Sequence, residues 1–261
     1  MREPVMTPKD GIALVTGASS GIGRALTLAL VRKGWCVAAL ARREEDLAAL
    51  AREAAGPGRV MPVPADITDR AGVGSAIARI EAEGPLALAV LNAGIYLPLE
   101  VPRFDASVVE RSVAVNLLGT SYCLEAIVPA MGARRRGHIA IVSSVTGYGG
   151  LPTSGAYGAT KAALINLAEA MKIELDRHGV RVSVINPGFV ETPAQDDNAF
   201  PKPFMISAEE AAGRIVRGLR SQAFEITFPK RFTWQLKLLG LLPARTRLEL
   251  VKKRTGWAEP V

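Results

Sequence analysis

Tyr157 and Lys161 stand four residues apart, a spacing that puts both on one face of a helix. An isolated phenol titrates at about pH 10. An ammonium held beside it stabilises the phenolate, lowers that pKa and makes the phenol a better proton donor or acceptor near neutrality. Thirteen residues before Tyr157, Ser144 closes an apolar run, His138–Ser143, that reads as a strand. A hydroxyl at a strand end can hydrogen-bond a substrate carbonyl. Ser143 is its rival, because alternation points the two in different directions and leaves open which faces inward.

A second group could hold an anion. Thr16-Gly17-Ala18-Ser19-Ser20-Gly21-Ile22-Gly23 joins an apolar run to a helical period. Glycines there let the backbone turn tightly and let a pyrophosphate reach the helix N-terminus, where free N–H groups and the dipole favour negative charge. The loop lacks the Gly-Lys-Ser/Thr of an ATP-binding turn, since Arg24 follows Gly23. At the end of the second strand an acid would accept from a ribose 2′-hydroxyl, whereas arginine accommodates a 2′-phosphate. The sequence reads Leu40-Ala41-Arg42-Arg43, with Ala41 at the acid's place, which predicts NADP(H) over NAD(H) through Arg42.

Other chemistries lack their residues. The two histidines, His138 and His178, fall at a strand start and a helix end and read as structural, so a hydrolase triad finds no base. Two separated Cys and two separated His offer no metal site. Cys36 and Cys123 lie in apolar stretches and read as reduced, buried thiols.

The elements that must position these groups alternate along the chain. Strands are predicted at Ile12–Thr16, Cys36–Ala41, Arg59–Ala65, Leu86–Leu91, His138–Ser143, Arg181–Ile185 and Phe224–Phe228. Helices are predicted at Ile22–Lys33, Glu44–Ala55, Asp69–Glu83, Asp105–Ala133, Ala156–His178 and Ala208–Ser221. Such alternation implies parallel pairing through right-handed crossovers. The fold class expected is therefore α/β, one doubly wound Rossmann domain with a central parallel sheet of about seven strands. At 261 residues, 49% hydrophobic and 22% charged, the chain excludes disordered and fibrous classes. Its first residues contain no apolar secretory core, and its longest uncharged run, His138–Thr160, is too rich in Gly, Ser, Thr and Pro for a membrane span. A soluble or at most peripheral, cytoplasmic protein is expected.

Together these residues resemble the short-chain dehydrogenase/reductase family from Ile12 to Phe228. Gly17, Ser19, Ser20, Gly21, Ile22 and Gly23 match its cofactor loop, and Asp66, followed by Ile67, matches the acid placed near the adenine. Asn92-Ala93-Gly94 is similar to the family's sheet-stabilising motif, and Pro187-Gly188 with Val190 and Thr192 to the segment that holds the nicotinamide. Asn116, Ser144, Tyr157 and Lys161 match the catalytic tetrad. The resemblance implies hydride transfer between a nicotinamide cofactor and a carbonyl or alcohol. In it Tyr157 donates the proton and Ser144 orients the carbonyl oxygen. Lys161 lowers the phenol pKa and holds the ribose, and Asn116 positions a relay water. A homodimer or homotetramer is implied as well.

The substrate side is predicted in residues 190–206, whose Phe200-Pro201-Lys202-Pro203-Phe204-Met205 suggests an apolar lid over a lipophilic substrate such as a steroid, retinoid or lipid. Alternatives are a 3-oxoacyl-carrier-protein reductase and a non-catalytic NADP(H)-sensing regulator. The extension 229–261 carries Trp234, Leu238, Leu241 and Leu242 at helical spacing. Phe228–Arg254 holds eight Lys/Arg and one acid, which accounts for the whole net charge of +7. No nucleic-acid-binding motif accompanies it. Such a basic amphipathic helix fits peripheral membrane contact, and equally packing over the pocket or on another subunit.

Overall fold

Seven parallel strands form one sheet in the computed structural model, which describes residues 4–192 and 202–258. They are β1 (Ile12–Thr16), β2 (Cys36–Ala41), β3 (Arg59–Pro64), β4 (Leu86–Leu91), β5 (Gly137–Val142), β6 (Val180–Pro187) and β7 (Glu225–Phe228). Their order is β3-β2-β1-β4-β5-β6-β7, so the winding reverses between β1 and β4. Ligands of open α/β sheets bind outside the carboxyl ends of the strands at such a switch point.

Alternation explains why every residue of β1 is apolar or buried. Ala13 and Val15 join the core against α1 (Gly21–Val31), where Leu26 and Leu30 lie. Ile12 and Leu14 join the opposite core with Ile77 of α3 (Arg70–Glu83). A strand covered on both faces has no solvent side to make polar. The remaining helix on the β2–β3 side is α2 (Glu44–Glu53).

Between β4 and β5 the predicted single helix is observed with an irregularity. α4 (Ala106–Ser112) passes into a wide π-turn, Val113–Leu118, before α5 (Gly119–Arg134). The run Ala106–Arg134 is by length and composition apolar enough to cross a membrane. Its Cys123, Ile127 and Met131 are instead fully covered inside the domain. Beyond it come α6 (Gly155–Leu175) and α7 (Ala208–Leu219).

Boundaries shift where local chemistry intervenes. α6 stops at Leu175 because Asp176–His178 tightens into a 3-10 turn that ends on Gly179 in the left-handed region. β6 runs on to Pro187, paired with Phe228, so the cofactor segment starts from the sheet itself. The C-terminal extension forms two helices, α8 (Lys230–Gly240) and α9 (Ala244–Thr255), rather than one amphipathic face. Pro243 follows the α8 cap and stops its continuation, so Leu242 leaves the face shared by Trp234 and Leu238. Cys36 is half-buried rather than buried; desolvation raises its thiol pKa and pushes that of Cys123 up to about 12.

Candidate active site

A cleft of about 760 Å³ opens at the carboxyl ends of the strands, within the size range of ligand sites. Its floor is the turn between β1 and α1. Gly17 and Gly21 both have positive φ, 67° and 50°, a conformation that glycine adopts without strain. The N-cap Ser20 makes no side-chain bond to the helix, which leaves the first N–H groups of α1 without a protein cap. Thr192 sits over this turn: a Cβ on Gly21 would meet its Cγ2 at 3.0 Å.

Gly17, Ser19, Ser20, Gly21, Ile22, Arg42, Asp66, Ile67, Asn92, Ala93, Gly94, Pro187, Gly188, Val190 and Thr192 all line the cleft, as do Ser144, Tyr157 and Lys161. Two predicted residues do not. Gly23 is buried beneath the turn, where a Cβ would stand 2.2 Å from the Gly17 carbonyl oxygen. It permits close packing of helix on turn and is not a lining group. Asn116 is also fully buried, behind Gly94. Its Oδ1 accepts from the Ile95 N–H at 2.8 Å, and its Nδ2 donates to the Ile95 carbonyl at 3.0 Å and to Thr160 Oγ1 at 3.1 Å. Both amide hydrogens are spent inside the protein, so here Asn116 positions backbone. The π-turn supplies this inward aim, as wide turns often do at functional sites.

The serine ambiguity resolves by hydrogen bonding. Ser143 Oγ donates to the Lys161 carbonyl at 2.7 Å and anchors α6 to β5. Ser144 leaves the strand, caps the following 3-10 turn by accepting from Thr146 N–H at 3.2 Å, and lines the cleft with Tyr157, whose phenol pKa it lowers. Tyr157 therefore presents its hydroxyl beside Ser144 in the cleft.

Electrostatics depart from the expectation for this pair. Lys161 Nζ lies 5.4 Å from the Tyr157 ring centroid and donates to the Val142 carbonyl at 2.9 Å. Burial lowers the Lys161 pKa to about 8. Burial likewise pushes Tyr157 up to about 12, against the lowering by Ser144 and helped by neighbouring Tyr96. Desolvation thus sets the direction, and the phenol holds its proton near neutral pH.

Arg42 is exposed at the rim and makes no ion pair among the described residues, whereas Arg43 pairs with Asp46. Asp66 accepts from Thr68 N–H at 2.9 Å and Thr68 Oγ1 at 2.8 Å; those bonds hold its pKa below the usual carboxylate value, with Arg42 helping. His138 is buried, pairs with Ser183 Oγ at 2.9 Å and has its pKa lowered to about 3 by burial. It is neutral and structural, so Ser19, although Gly17–Gly21 spells G-x-S-x-G, finds no base in it. No cluster of metal-ligating side chains occurs among the described residues.

Two contributors escape sequence reasoning. Tyr96 packs edge-on against Tyr157, with ring centroids 5.3 Å apart, and lines the cleft. Buried Thr16 accepts from the N–H groups of Asn92 and Ala93 at 2.9 and 3.0 Å, which locks β1 to the end of β4. The only available signals are an aromatic two residues after Asn92-Ala93-Gly94 and a hydroxyl before Gly17. Of the predicted substrate loop, residues 193–201 lie outside the described residues.

A glycine turn at the switch point, with a serine, tyrosine and lysine on one cleft wall, defines a dinucleotide-dependent oxidoreductase. The short chain dehydrogenase family model matches residues 11–201, and the chain belongs to that family. An uncharacterized oxidoreductase of Myxococcus xanthus is 38% identical over 233 residues, 88% of this chain and 92% of that protein. A 3-oxoacyl-[acyl-carrier-protein] reductase of Thermotoga maritima is 36% identical over 184 residues, 70% of this chain and 75% of that protein. The crystal structure of a short chain dehydrogenase from Burkholderia cenocepacia in complex with NADP superposes with a TM-score of 0.81 at 29% identity, covering 98% of this chain and all of that one. The fold is one that binds a nicotinamide cofactor.

Proposed function

We propose that this oxidoreductase is NADP(H)-dependent and reduces a carbonyl, or oxidises the corresponding alcohol, on a lipophilic substrate. The observation that carries the reading is the Tyr157 phenol, neutral and beside Ser144, in the same cleft as the uncapped α1 turn and Arg42, which has no ion pair among the described residues. The turn fits a pyrophosphate by its free N–H donors. Arg42 fits a 2′-phosphate by its planar fork. The bound nicotinamide supplies the hydride. Every other task falls to side chains: Ser144 donates to the oxygen on which charge grows, Tyr157 gives it a proton, and Lys161 stabilises the phenolate left behind. A phenol held protonated at neutral pH is ready to donate to the oxygen in the reductive direction.

Lipophilicity is supported by Ile95, Tyr96 and Val190 on the cleft wall. The Thermotoga relative's name makes a 3-oxoacyl thioester the second reading. A cytoplasmic homodimer or homotetramer is part of the proposal; exposed Ile173 on α6, 74% accessible, is a surface such contacts would cover. Following NADPH and NADH oxidation with steroid, retinoid, long-chain ketone and 3-oxoacyl substrates tests all of this, with Tyr157→Phe as control. NADPH turnover that vanishes in the variant while NADPH binding persists is expected. Turnover unchanged in Tyr157→Phe refutes the mechanism, and absence of turnover with bound NADPH favours a sensor.

A further inference from the structure

α8 is held by one side only. Phe232 and Thr233 are buried, Phe232 packs with Val145 and Phe189, and Lys237 forms an ion pair with Glu225 of β7. On its outer side Trp234, Leu238 and Leu241, at i, i+4 and i+7, are 59%, 60% and 81% exposed. Large apolar side chains exposed together on one helix face mark an interaction surface. Lys230 and Arg231, four and three residues before Trp234, share that side at the helix start. α9 buries none of its residues and adds Arg245, Lys253 and Arg254 as exposed cations.

We propose that α8 and α9 dock this protein on an anionic lipid membrane, with Trp234, Leu238 and Leu241 entering the interface. The charge pattern selects this partner. Two copies meeting through the patch would oppose cations with cations, since Glu249 is the one acid within α8 and α9 and pairs with Lys252. A nucleic acid would reward the cations and waste the leucines. An acidic bilayer satisfies both: its headgroups attract Lys and Arg, and its acyl boundary accepts tryptophan and leucine. The described residues around the site extend the surface toward the cleft. The exposed Phe204 ring lies 6.2 Å from Phe232, which lies 5.6 Å from Phe189, next to cleft-lining Val190. If the lipophilic-substrate reading holds, the membrane is also its source; docking itself does not depend on that reading.

The test is flotation of the full chain with vesicles of phosphatidylcholine containing about a quarter phosphatidylserine, against phosphatidylcholine alone. The triple variant Trp234→Ser, Leu238→Ser, Leu241→Ser changes exposed positions only, and its soluble NADPH turnover serves as the folding control. Expected are recovery with anionic vesicles, about tenfold less in the triple variant, and loss at about 1 M salt. In a Trp257→Phe background, vesicles should shift tryptophan emission to the blue through Trp234, because Trp35 is already buried. Equal recovery with and without vesicles overturns the proposal, as does a triple variant that floats like wild type. A wild type that ignores vesicles, but whose dimer falls apart in the triple variant, reassigns the face to a subunit contact. Capture by an acidic protein without vesicle binding reassigns it to a protein partner. Docking retained by a Tyr157→Phe variant separates this proposal from the catalytic one.

Discussion

Lys161→Met should make the protein more stable and inactive together. Lys161 is 3% exposed, and burial lowers its pKa from 10.5 to about 8. Each pKa unit corresponds to about 1.4 kcal/mol, so holding this charge inside the folded protein costs about 3 kcal/mol. Its hydrogen bond to the Val142 carbonyl returns about 1 kcal/mol, leaving an expected gain of about 2 kcal/mol for the methionine variant near pH 7. The pH dependence identifies the cause. A lysine whose folded pKa is depressed carries its full cost below the folded value, and loses it as pH rises through that value towards the unfolded one. The variant's advantage should therefore be largest below about pH 8 and shrink by about 2 kcal/mol between about pH 7 and about pH 10. Urea unfolding of both proteins at equal concentration measures it. A variant less stable at neutral pH, or an advantage independent of pH, refutes the buried-ammonium account.

Three further outcomes follow from the same geometry. Ser144→Ala should lower kcat about 10²–10³-fold with little change in NADPH affinity, since the proposed mechanism has its hydroxyl act on the developing oxyanion, and titration by fluorescence checks the affinity. Arg42→Ala should weaken NADPH binding about tenfold and leave NADH binding unchanged, because an exposed guanidinium–phosphate contact is worth the low end of about 1.5–3 kcal/mol; equal losses for both cofactors count against the assignment. Gly23→Ala places a Cβ 2.2 Å from the Gly17 carbonyl oxygen and should cost roughly 1–3 kcal/mol, read as a lower Tm.

Strand positions were legible because burial on both faces makes them apolar throughout, as in Ala87-Leu88-Ala89-Val90-Leu91. The cleft-lining glycines were legible because only glycine meets the backbone demand at Gly17 and Gly21. What escaped depends on distances that no local pattern carries. Periodicity gives no sign of the π-turn that buries Asn116, because a wide turn changes the phase of a helix without changing its composition. Ser143 and Ser144 look alike until their partners are known. The Tyr157–Lys161 spacing was read correctly, yet the direction of the phenol pKa was not. The decisive quantity is desolvation by burial, which spacing does not carry; Tyr96, packed edge-on against the ring, adds a smaller coulombic push in the same direction.

Precision at the phenol arises from hydrogen bonds behind and beside it. Thr160 Oγ1 donates to the Tyr157 carbonyl at 2.7 Å and accepts from Asn116, which in turn grips both backbone groups of Ile95. This chain fixes α6 against the segment that follows β4, and with it the position of Tyr157 on the cleft wall. Ser143 performs the same task from β5 through the Lys161 carbonyl. Each anchor pairs a buried side chain with backbone, so none can shift without stranding a polar group away from water, at about 1–3 kcal/mol each. Such anchors fix positions more tightly than exposed ion pairs, whose long side chains are solvated and worth about 1 kcal/mol or less. The arrangement accounts for how a tyrosine and a lysine, both desolvated against their own preference, are held side by side.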